Sequence, residues 1–320
     1  MSIRYTQAAI DRQAAMLANR VEKNFRHLRR YFAKSDTNCF RVYDWDIPEI
    51  RATVDWYDGS VYMCEYERLQ THGTDWLEQM ARAVAGKLGL AESHIHLRRR
   101  RTRPSAGRRY TKLNQLGQQK KVLENGLSFL VNLDDYQDTG LFLDHRNTRQ
   151  MVRGMASGLD VLNLYAYTGS FSVYASAGDA RFVTSVDASS RYLDWAKNNV
   201  ELNSSSSQLT KHQFEQSDCI EFLRQSRRHA KAWDLIICDP PSFSDFSGND
   251  FDVLRDQSEL VQHCLDVLRP GGTLIFSTNH QRFEANFEQL GGFESVREIS
   301  QQTIPRDFRR TPHRCFEFKR

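Results

Sequence analysis

Residues 234–246 read DLIICDPPSFSDF, an apolar run that stops at an acidic residue and two prolines. The run at 235–238 is typical of a strand buried inside a protein. Asp239-Pro240-Pro241 follows at once, and two consecutive prolines remove two backbone donors and exclude a helix. We therefore expect the chain to leave a sheet in a rigid, extended turn. Such a turn fixes a carboxylate and free carbonyl groups at the tip of a core strand.

The composition is that of an ordinary globular protein with room for two domains. The chain has 320 residues, of which 40% are hydrophobic and 26% are charged, and this length allows two separate cores. No apolar stretch approaches the roughly 20 residues that cross a bilayer, and the N-terminus lacks the apolar core of a signal peptide. We expect a cytoplasmic protein without membrane contact.

The six cysteines are scattered along the chain. None belongs to a CxxC motif, and no cysteine–histidine cluster has the spacing of zinc ligands, so neither a disulfide framework nor a metal site is predicted. We expect reduced thiols that are mostly packed in the interior.

Positive charge is unevenly placed, although the net charge is only +4. Residues 96–112 read HLRRRRTRPSAGRRYTK, with seven arginines and a lysine, and residues 23–30 of the first helix read KNFRHLRR. Such clusters attract polyphosphate, but a charge run is also often a solvated face, and the sequence leaves both interpretations open. The candidate nucleic-acid contacts are Arg26, Arg29, Arg30, Arg98, Arg99, Arg100, Arg101, Arg103, Arg108 and Arg109.

The two halves of the chain have different patterns. In the first half, hydrophobic residues have helical spacing before and after a stretch in which they alternate with polar residues. This pattern predicts a small α+β domain after an N-terminal helix. In the second half, short apolar runs alternate with helical patterns, which calls for a parallel sheet with helices on both faces. The predicted strands of that sheet are 160–165, 182–187, 234–238 and 273–277, its helices are 170–178, 189–202 and 252–268, and 295–303 with 313–318 suggest a closing antiparallel hairpin.

Ligands of open parallel sheets bind beyond the carboxyl ends of the strands, so the strand ends are the candidate site. The first ends in NLYAYTGSF (163–171), where a single glycine opens the next helix. A dinucleotide loop needs three glycines, which argues against NAD and against a P-loop nucleotide, although the backbone amides still suit a small carboxylate. Asp187 ends the second strand, where a carboxylate can hold both hydroxyls of a ribose. Asp218 opens a helix, as an N-cap or as an acceptor for an adenine amino group.

The turn after 234–238 lies where the strand order is expected to reverse. Its carboxylate and proline carbonyl suit the N–H edge of a flat heterocycle, and Phe243 can stack on the face of the ring. A purely structural turn is the alternative for Asp239-Pro240-Pro241.

Four segments resemble the successive motifs of class I S-adenosylmethionine-dependent methyltransferases: NLYAYTGSFSVYASAGDA, VDASSRYLDWAKNNVELN, QSDCIEFL and DLIICDPPSFS. LVNLDDYQDTGLFLDHRNTR (130–149) and MLANRVEKNFRHL are similar to segments of bacterial large-subunit ribosomal RNA methyltransferases of the K and I group. The resemblance covers nearly the whole chain. It implies a doubly wound, mostly parallel, seven-stranded Rossmann-like sheet, preceded by a small α+β domain and an N-terminal helix. The expected parts are a basic helix (1–36), an RNA-binding α+β domain (37–128) and a methyltransferase domain (129–320).

The resemblance also implies the cofactor, the substrate and the roles of the strand ends. S-adenosyl-L-methionine is the expected cofactor, and 23S rRNA or a precursor large-subunit particle is the expected partner. Compared with the fused relatives, we expect this chain to lack the partner methyltransferase and the RNA-binding THUMP region, so affinity for RNA is expected from its own basic surface or from a separate protein. The expected catalytic residues are Asp239, Pro240 and Phe243, and the expected cofactor-binding residues are Asp144, Arg146, Asn163, Tyr165, Tyr167, Thr168, Gly169, Asp187, Ala188, Asp218, Cys219 and Asp239.

The group contains enzymes that methylate guanine and enzymes that methylate cytosine. Carbon 5 of cytosine requires a thiolate that first adds to carbon 6, and the cytosine enzymes carry it after the fifth strand in a motif resembling FSCS. Here Thr278 occupies that place, and Cys238 is expected to face the core. That leaves nitrogen chemistry, and the resemblance to the K enzymes, which make 7-methylguanosine, implies transfer to nitrogen 7 of guanine, which has a free lone pair. Methylation of an exocyclic amino group, methylation of cytosine, and a non-catalytic RNA-binding or assembly factor remain the alternatives.

Overall fold

The computed structural model describes residues 5–101, 114–246 and 249–320. These residues divide into two compact units. The first comprises the described residues up to Gly126, together with Val131–Thr139 and Arg306–Arg310, and the second comprises Leu127–Leu130, Gly140–Pro305 and Thr311–Arg320. The three-part division predicted from the sequence stays a prediction.

The helices are Gln7–Phe32 (α1), Trp76–Leu88 (α2), Arg146–Met155 (α3), Ser170–Ala177 (α4), Ser190–Glu201 (α5), Ser206–Leu209 (α6), Cys219–Arg228 (α7), Val253–Asp266 (α8) and Ser300–Thr303 (α9). The strands are Cys39–Asp44 (β1), Ala52–Tyr57 (β2), Ser60–Glu67 (β3), Ile95–Arg101 (β4), Lys120–Glu124 (β5), Leu127–Val131 (β6), Asp160–Leu164 (β7), Phe182–Asp187 (β8), His212–Gln216 (β9), Trp233–Cys238 (β10), Phe243–Phe246 (β11), Asn249–Asp252 (β12), Leu268–Thr278 (β13), Ser295–Glu298 (β14) and Arg314–Lys319 (β15).

The first unit is the predicted α+β fold. Its sheet has the order β1-β2-β3-β4, with β4 parallel to β3 and the other pairs antiparallel. Apolar residues of α1 and α2, among them Leu17, Val21 and Val84, share one core with the sheet. Thr6 caps α1, because its hydroxyl accepts from the backbone N–H of Ala9 at 3.3 Å.

The second unit confirms the predicted doubly wound sheet. In the described part of the chain, seven strands have the order β14-β15-β13-β10-β7-β8-β9, in which the β14–β15 and β15–β13 pairs are antiparallel and the other pairs are parallel. Because successive side chains of a strand point to opposite faces, Ile236 joins a core with α7 and α8, while Leu235 and Ile237 join a core with α3 and α4. The strand order reverses between β7 and β10, as expected.

None of the helices in the described ranges has the length and apolar character needed to cross a lipid bilayer.

Candidate active site

The predicted site residues come together at the carboxyl ends of β7, β8, β9 and β10. These four strands are neighbours in the sheet, so the loops that follow them share one edge. The loops are 165–169, 187–189, 217–219 and 239–243.

The loop after β7 has a strained backbone. Tyr165 and Tyr167 have φ values of +53° and +50°, a conformation that bulky residues rarely adopt. Gly169 has φ +73°, and a Cβ atom there would lie 2.7 Å from the Cβ of Ala196. The loop therefore requires glycine at this position, and strain of this kind is often concentrated at functional sites.

Asp187 holds this loop from β8. Its Oδ2 accepts from the backbone N–H of Tyr167 and its Oδ1 from that of Ser189, both at 2.9 Å. Burial raises the pKa of the Asp187 carboxyl, while these two N–H groups act in the opposite direction. A carboxylate has about four acceptor positions, so both oxygens can still accept from hydroxyl groups. Ala188, the next residue, accepts with its carbonyl from Gln216 Nε2 at 3.3 Å.

Asp218 is the N-cap of α7. Its Oδ1 accepts from the backbone N–H of Glu221 at 3.0 Å, so the capping role expected from the sequence is present. The adjacent Cys219 is buried, and its Sγ accepts from the backbone N–H of Tyr165 at 3.3 Å. Burial raises the pKa of this thiol, which therefore packs and positions the loop as a neutral group.

Asn163 and Thr168 are engaged inside the protein. The Asn163 amide donates to Ser172 Oγ at 2.9 Å, and the Thr168 hydroxyl donates to the carbonyl of Gly140 at 2.5 Å. The carbonyl of Thr168 also accepts from the side chain of Asn199 at 2.8 Å. These side chains therefore fix the shape of the loop. Their effect on a ligand would come from that shape.

Asp239 is held by side chains from two other elements. Its Oδ1 accepts from Ser277 Oγ on β13 at 2.6 Å, and its Oδ2 lies 3.5 Å from His145 Nε2. Pro240 is buried behind it, whereas the Phe243 side chain is 47% exposed and meets His280 edge to face at 5.7 Å. The turn thus holds the Asp239 carboxylate in a fixed position and is followed by an accessible aromatic ring, and the roles expected of these residues stay predictions.

Asp144 and Arg146 flank His145 at the start of α3. Asp144 Oδ2 lies 3.1 Å from His313 Nδ1, and Arg146 is buried. His145 and His313 stack at 4.1 Å with an angle of 12° between the rings, and His313 Nε2 lies 3.0 Å from Thr303 Oγ1.

This histidine pair was missed by the sequence reasoning. Burial lowers the pKa of His145, although Asp239 and Asp144 act against that effect. Ligand atoms of Asp144, His145 and His313 lie within 4.8 Å of one another. Nearly parallel stacked rings do not direct their nitrogens to one point, so we interpret the group as a packed support behind Asp239, with His145 Nε2 3.5 Å from its carboxylate. His145 lies in the family-like segment 130–149 and Ser277 ends the predicted strand 273–277, while nothing near His313 in the sequence signals its role.

The described arginines of the basic run have partners within the protein. Arg98 donates to the carbonyls of Leu97, Leu133 and Tyr136. Arg99 pairs with Glu78 at 2.6 Å and Arg100 pairs with Asp138. Internal pairing reduces the charge available to a phosphate, and the side chain of Arg101 together with Arg103, Arg108 and Arg109 lies outside the described residues.

On α1, Arg26 pairs with Glu22 at 2.6 Å, and the Arg29 guanidinium lies 5.8 Å from the ring centroid of Phe25. Arg30 is exposed. The exposed end of this helix therefore keeps more available positive charge than the described part of the basic run.

Comparison with known proteins decides the family. The sequence profile of the S-adenosylmethionine-dependent methyltransferases matches residues 39–301. The chain belongs to this family. S-adenosyl-L-methionine is therefore the cofactor.

Curated relatives narrow the subgroup. The ribosomal RNA large subunit methyltransferase K/L of Alteromonas mediterranea is 41% identical over 308 residues, which are 93% of this chain and 43% of that protein. The ribosomal RNA large subunit methyltransferase K of Neisseria meningitidis serogroup B is 38% identical over 310 residues, 94% of this chain and 86% of that protein. The chain thus spans less than half the length of the K/L relatives that it matches.

A solved methyltransferase complexed with SAH has the same fold. Its TM-score is 0.75 at 24% identity, over 97% of this chain and 82% of that chain.

The residues of this methyltransferase fit the cofactor chemically. Asp187 is a half-buried carboxylate at a strand end with acceptor capacity left for hydroxyl groups. The strained loop at 165–169 directs backbone toward the same edge, and Tyr167 packs there against Tyr192 at 4.6 Å and Phe142 at 5.4 Å.

Proposed function

We propose that this protein transfers the methyl group of S-adenosylmethionine to a base of 23S rRNA, at nitrogen 7 of a guanine. The observation that carries the proposal is the Asp239–Phe243 turn, a fixed carboxylate beside an exposed aromatic ring, in a chain without an accessible thiol. The names of the curated relatives support ribosomal RNA of the large subunit as the substrate.

The burial of the cysteines argues against methylation of carbon 5 of cytosine. All six cysteines lie in described residues and are buried. Cys238, the nearest in sequence to the turn, is fully buried on β10, and burial raises the pKa of its thiol well above the usual value. Thr278 is fully buried at the place where cytosine enzymes of the group carry their nucleophile. Addition of a thiolate to carbon 6 of cytosine therefore has no candidate residue here.

The turn suits guanine because it offers one partner for the N–H edge of the base and one for its face. Asp239, oriented by Ser277, would accept from the ring N–H and the amino group of guanine, and Phe243 would stack on the base. Nitrogen 7 carries no proton, so no general base is required, and alignment of the base provides most of the rate enhancement. S-adenosylmethionine supplies an electrophilic methyl group on its sulfonium.

The remaining strand ends would hold the cofactor. We assign the ribose to Asp187, the adenine amino group to Asp218 and the carboxylate of the amino-acid part to the backbone of loop 165–169. Asp144 and Arg146 would support the same site from the start of α3. The residues 1–36 and 37–128 are proposed to bring positive charge to the RNA.

Methylation of an exocyclic amino group is the second candidate. The same carboxylate and proline carbonyl that would accept from guanine also suit an amino group that is itself the nucleophile. The two reactions give different nucleosides from the same base, so product analysis separates them.

The test is methyl transfer by the purified chain to an unmodified 23S rRNA transcript and to precursor large-subunit particles. Nucleosides from digested RNA would be separated and identified by mass spectrometry, with Asp239→Asn as the matched control. We expect 7-methylguanosine that is absent with the variant. N2-methylguanosine would favour the second candidate, and 5-methylcytidine would refute both. Cofactor binding without turnover on either substrate would leave a non-catalytic RNA-binding factor.

A further inference from the structure

Segment 306–310, RDFRR, belongs to the first unit although it lies close to the C-terminus in sequence. Buried carboxylates fix its backbone. Asp307 Oδ2 accepts from a backbone N–H of β1 at 2.9 Å, and Asp44 Oδ2 accepts from the N–H groups of Arg309 and Arg310 at 2.9 and 3.0 Å. Because the backbone is held from inside, the three arginine side chains of the segment are exposed: Arg306, Arg309 and Arg310.

Arg306 lies on an aromatic ring of α1. Its guanidinium carbon is 4.1 Å from the ring centroid of Tyr31, which is 42% exposed. Its Nη2 lies 3.2 Å from His27 Nε2. Within the described ranges Arg306 has no carboxylate partner, so its charge remains available to an outside anion.

A second group of stacked side chains surrounds Trp45. The guanidinium carbons of Arg310 and Arg51 lie 4.7 and 5.1 Å from the Trp45 ring, and Tyr66 stacks on Trp45 at 5.5 Å with an angle of 23°. Trp45 has φ +59°, which is strained for an aromatic residue. Its ring is held in place by a hydrogen bond from Nε1 to the carbonyl of Pro48 at 3.2 Å. A strained backbone that fixes a half-buried aromatic ring between arginines points to a binding surface.

The charge balance of this surface is positive. Asp46 is shared between Arg309 at 3.0 Å and Arg20 at 3.9 Å, and Asp44 faces Arg310 at 3.6 Å while it also pairs with Arg41. Arg51 has no carboxylate partner in the part of the chain that the structure describes. Each acid here serves more than one arginine, whereas Arg99 and Arg100 of the basic run have acids of their own.

We propose that this surface binds single-stranded RNA, and we name it the arginine–aromatic strip. Exposed guanidinium groups contact phosphates, and aromatic rings stack on bases that are not paired in a helix. The choice of RNA as the ligand rests on the proposed function. In this proposal the strip, and not the described part of the basic run, is the main RNA contact of the first unit. It consists of Tyr31, Trp45, Arg51, Tyr66, Arg306, Arg309 and Arg310.

The test measures RNA binding by the full chain at several salt concentrations. The probes are a fluorescent, unstructured RNA of about 12 nucleotides and a duplex of the same sequence. Arg51→Ala with Arg306→Ala is the test variant, and Arg224→Ala is the matched control, because Arg224 is an exposed arginine of α7 that pairs with Glu259 at 2.7 Å. Thermal unfolding and calorimetry with S-adenosylmethionine check that folding and cofactor binding are unchanged.

We expect the double variant to bind the single strand about tenfold more weakly, with the slope of log K against log salt reduced by about 1.4, since each phosphate contact contributes about 0.7. Arg224→Ala should stay within about twofold of wild type, because its charge is paired with Glu259 and it lies outside the strip. Tyr31→Leu should weaken binding about fivefold without changing the slope.

The strip is refuted if the double variant binds like wild type, or if the duplex loses as much affinity as the single strand and Tyr31→Leu has no effect. Methyl transfer separates this proposal from the function. A wild-type chain that binds RNA through the strip but methylates none would refute the function and leave the strip. A double variant that methylates 23S rRNA with wild-type kcat/KM would refute the strip alone.

Discussion

Replacing Asp187 with alanine should separate cofactor binding from folding, because this carboxylate has two kinds of partner. In the folded chain its oxygens accept from the backbone N–H groups of Tyr167 and Ser189, both at 2.9 Å. In the complex we expect them to accept from two ribose hydroxyls as well. Alanine removes all four bonds, whereas asparagine keeps one acceptor oxygen and the shape of the side chain.

The expected magnitudes follow from these bonds. A hydrogen bond to a charged group contributes about 1.5–3 kcal/mol, but burial raises the pKa of Asp187 and offsets part of that gain in the free protein. We expect alanine to lower the free energy of unfolding by about 1–3 kcal/mol. Losing the ribose contacts should cost a further 2–4 kcal/mol, roughly a 30- to 900-fold rise in the Kd for S-adenosylmethionine. Asp187→Asn should fall between alanine and wild type.

Calorimetry with S-adenosylmethionine and thermal unfolding measure the two effects on the same samples. Asp194→Ala is the control, because Asp194 is an exposed acid of α5 that pairs with Lys197 at 3.3 Å. Asp218→Ala should give a smaller loss of affinity than Asp187→Ala. Wild-type affinity in a folded Asp187→Ala protein would refute the assignment of the ribose to this residue.

Four further results are expected. Asp239→Ala and Phe243→Ala should each abolish methyl transfer while the Kd for S-adenosylmethionine, measured by calorimetry, stays within about twofold, because their contacts belong to the base. Ser277→Ala should lower kcat about tenfold and Ser277→Thr should restore most of it, since a hydroxyl is what orients the carboxylate; equal rates for both would contradict this role. Burial lowers the pKa of His212 to about 4, so the unfolded state takes up its proton first, and stability should fall by up to about 3 kcal/mol between pH 6.5 and 4; thermal unfolding of His212→Phe should show a flatter decline. A folded Cys238→Ser protein should keep its turnover, and a covalent adduct of the wild type with 5-fluorocytosine-containing RNA would overturn the guanine assignment.

The sequence was sufficient to predict those parts of the fold that a local pattern of residues decides. The apolar runs of β7, β8 and β10 and the single glycine that opens α4 predicted the sheet and its ligand edge. β9 was harder to predict from the sequence. Its residues HQFEQ (212–216) include only one strongly apolar side chain, and the strand lies at the edge of the sheet. Its place is set by pairing with β8, where Asp187 faces Gln216, and not by its own composition.

Contacts between distant segments could not be predicted from the sequence. Nothing in the sequence near Arg99 or Arg100 shows that Glu78 and Asp138 pair with them, so the sequence offered both arginines as candidate RNA contacts. An arginine run gives charge, but the availability of that charge depends on acids elsewhere in the chain. Segment 306–310 illustrates the converse, because two buried carboxylates bring its arginines into the first unit.

The support of Asp239 explains why a rigid turn stands at this strand end. The prolines fix the backbone, Ser277 fixes one carboxylate oxygen at 2.6 Å, and His145 lies 3.5 Å from the other. His145 is in turn stacked on His313. A carboxylate oriented before its ligand arrives does not have to reorganise on binding, and the proposed transfer to nitrogen 7 depends on this kind of alignment more than on proton transfer. Loss of the hydroxyl at 277 should therefore act on the rate of transfer more than on the affinity for the cofactor.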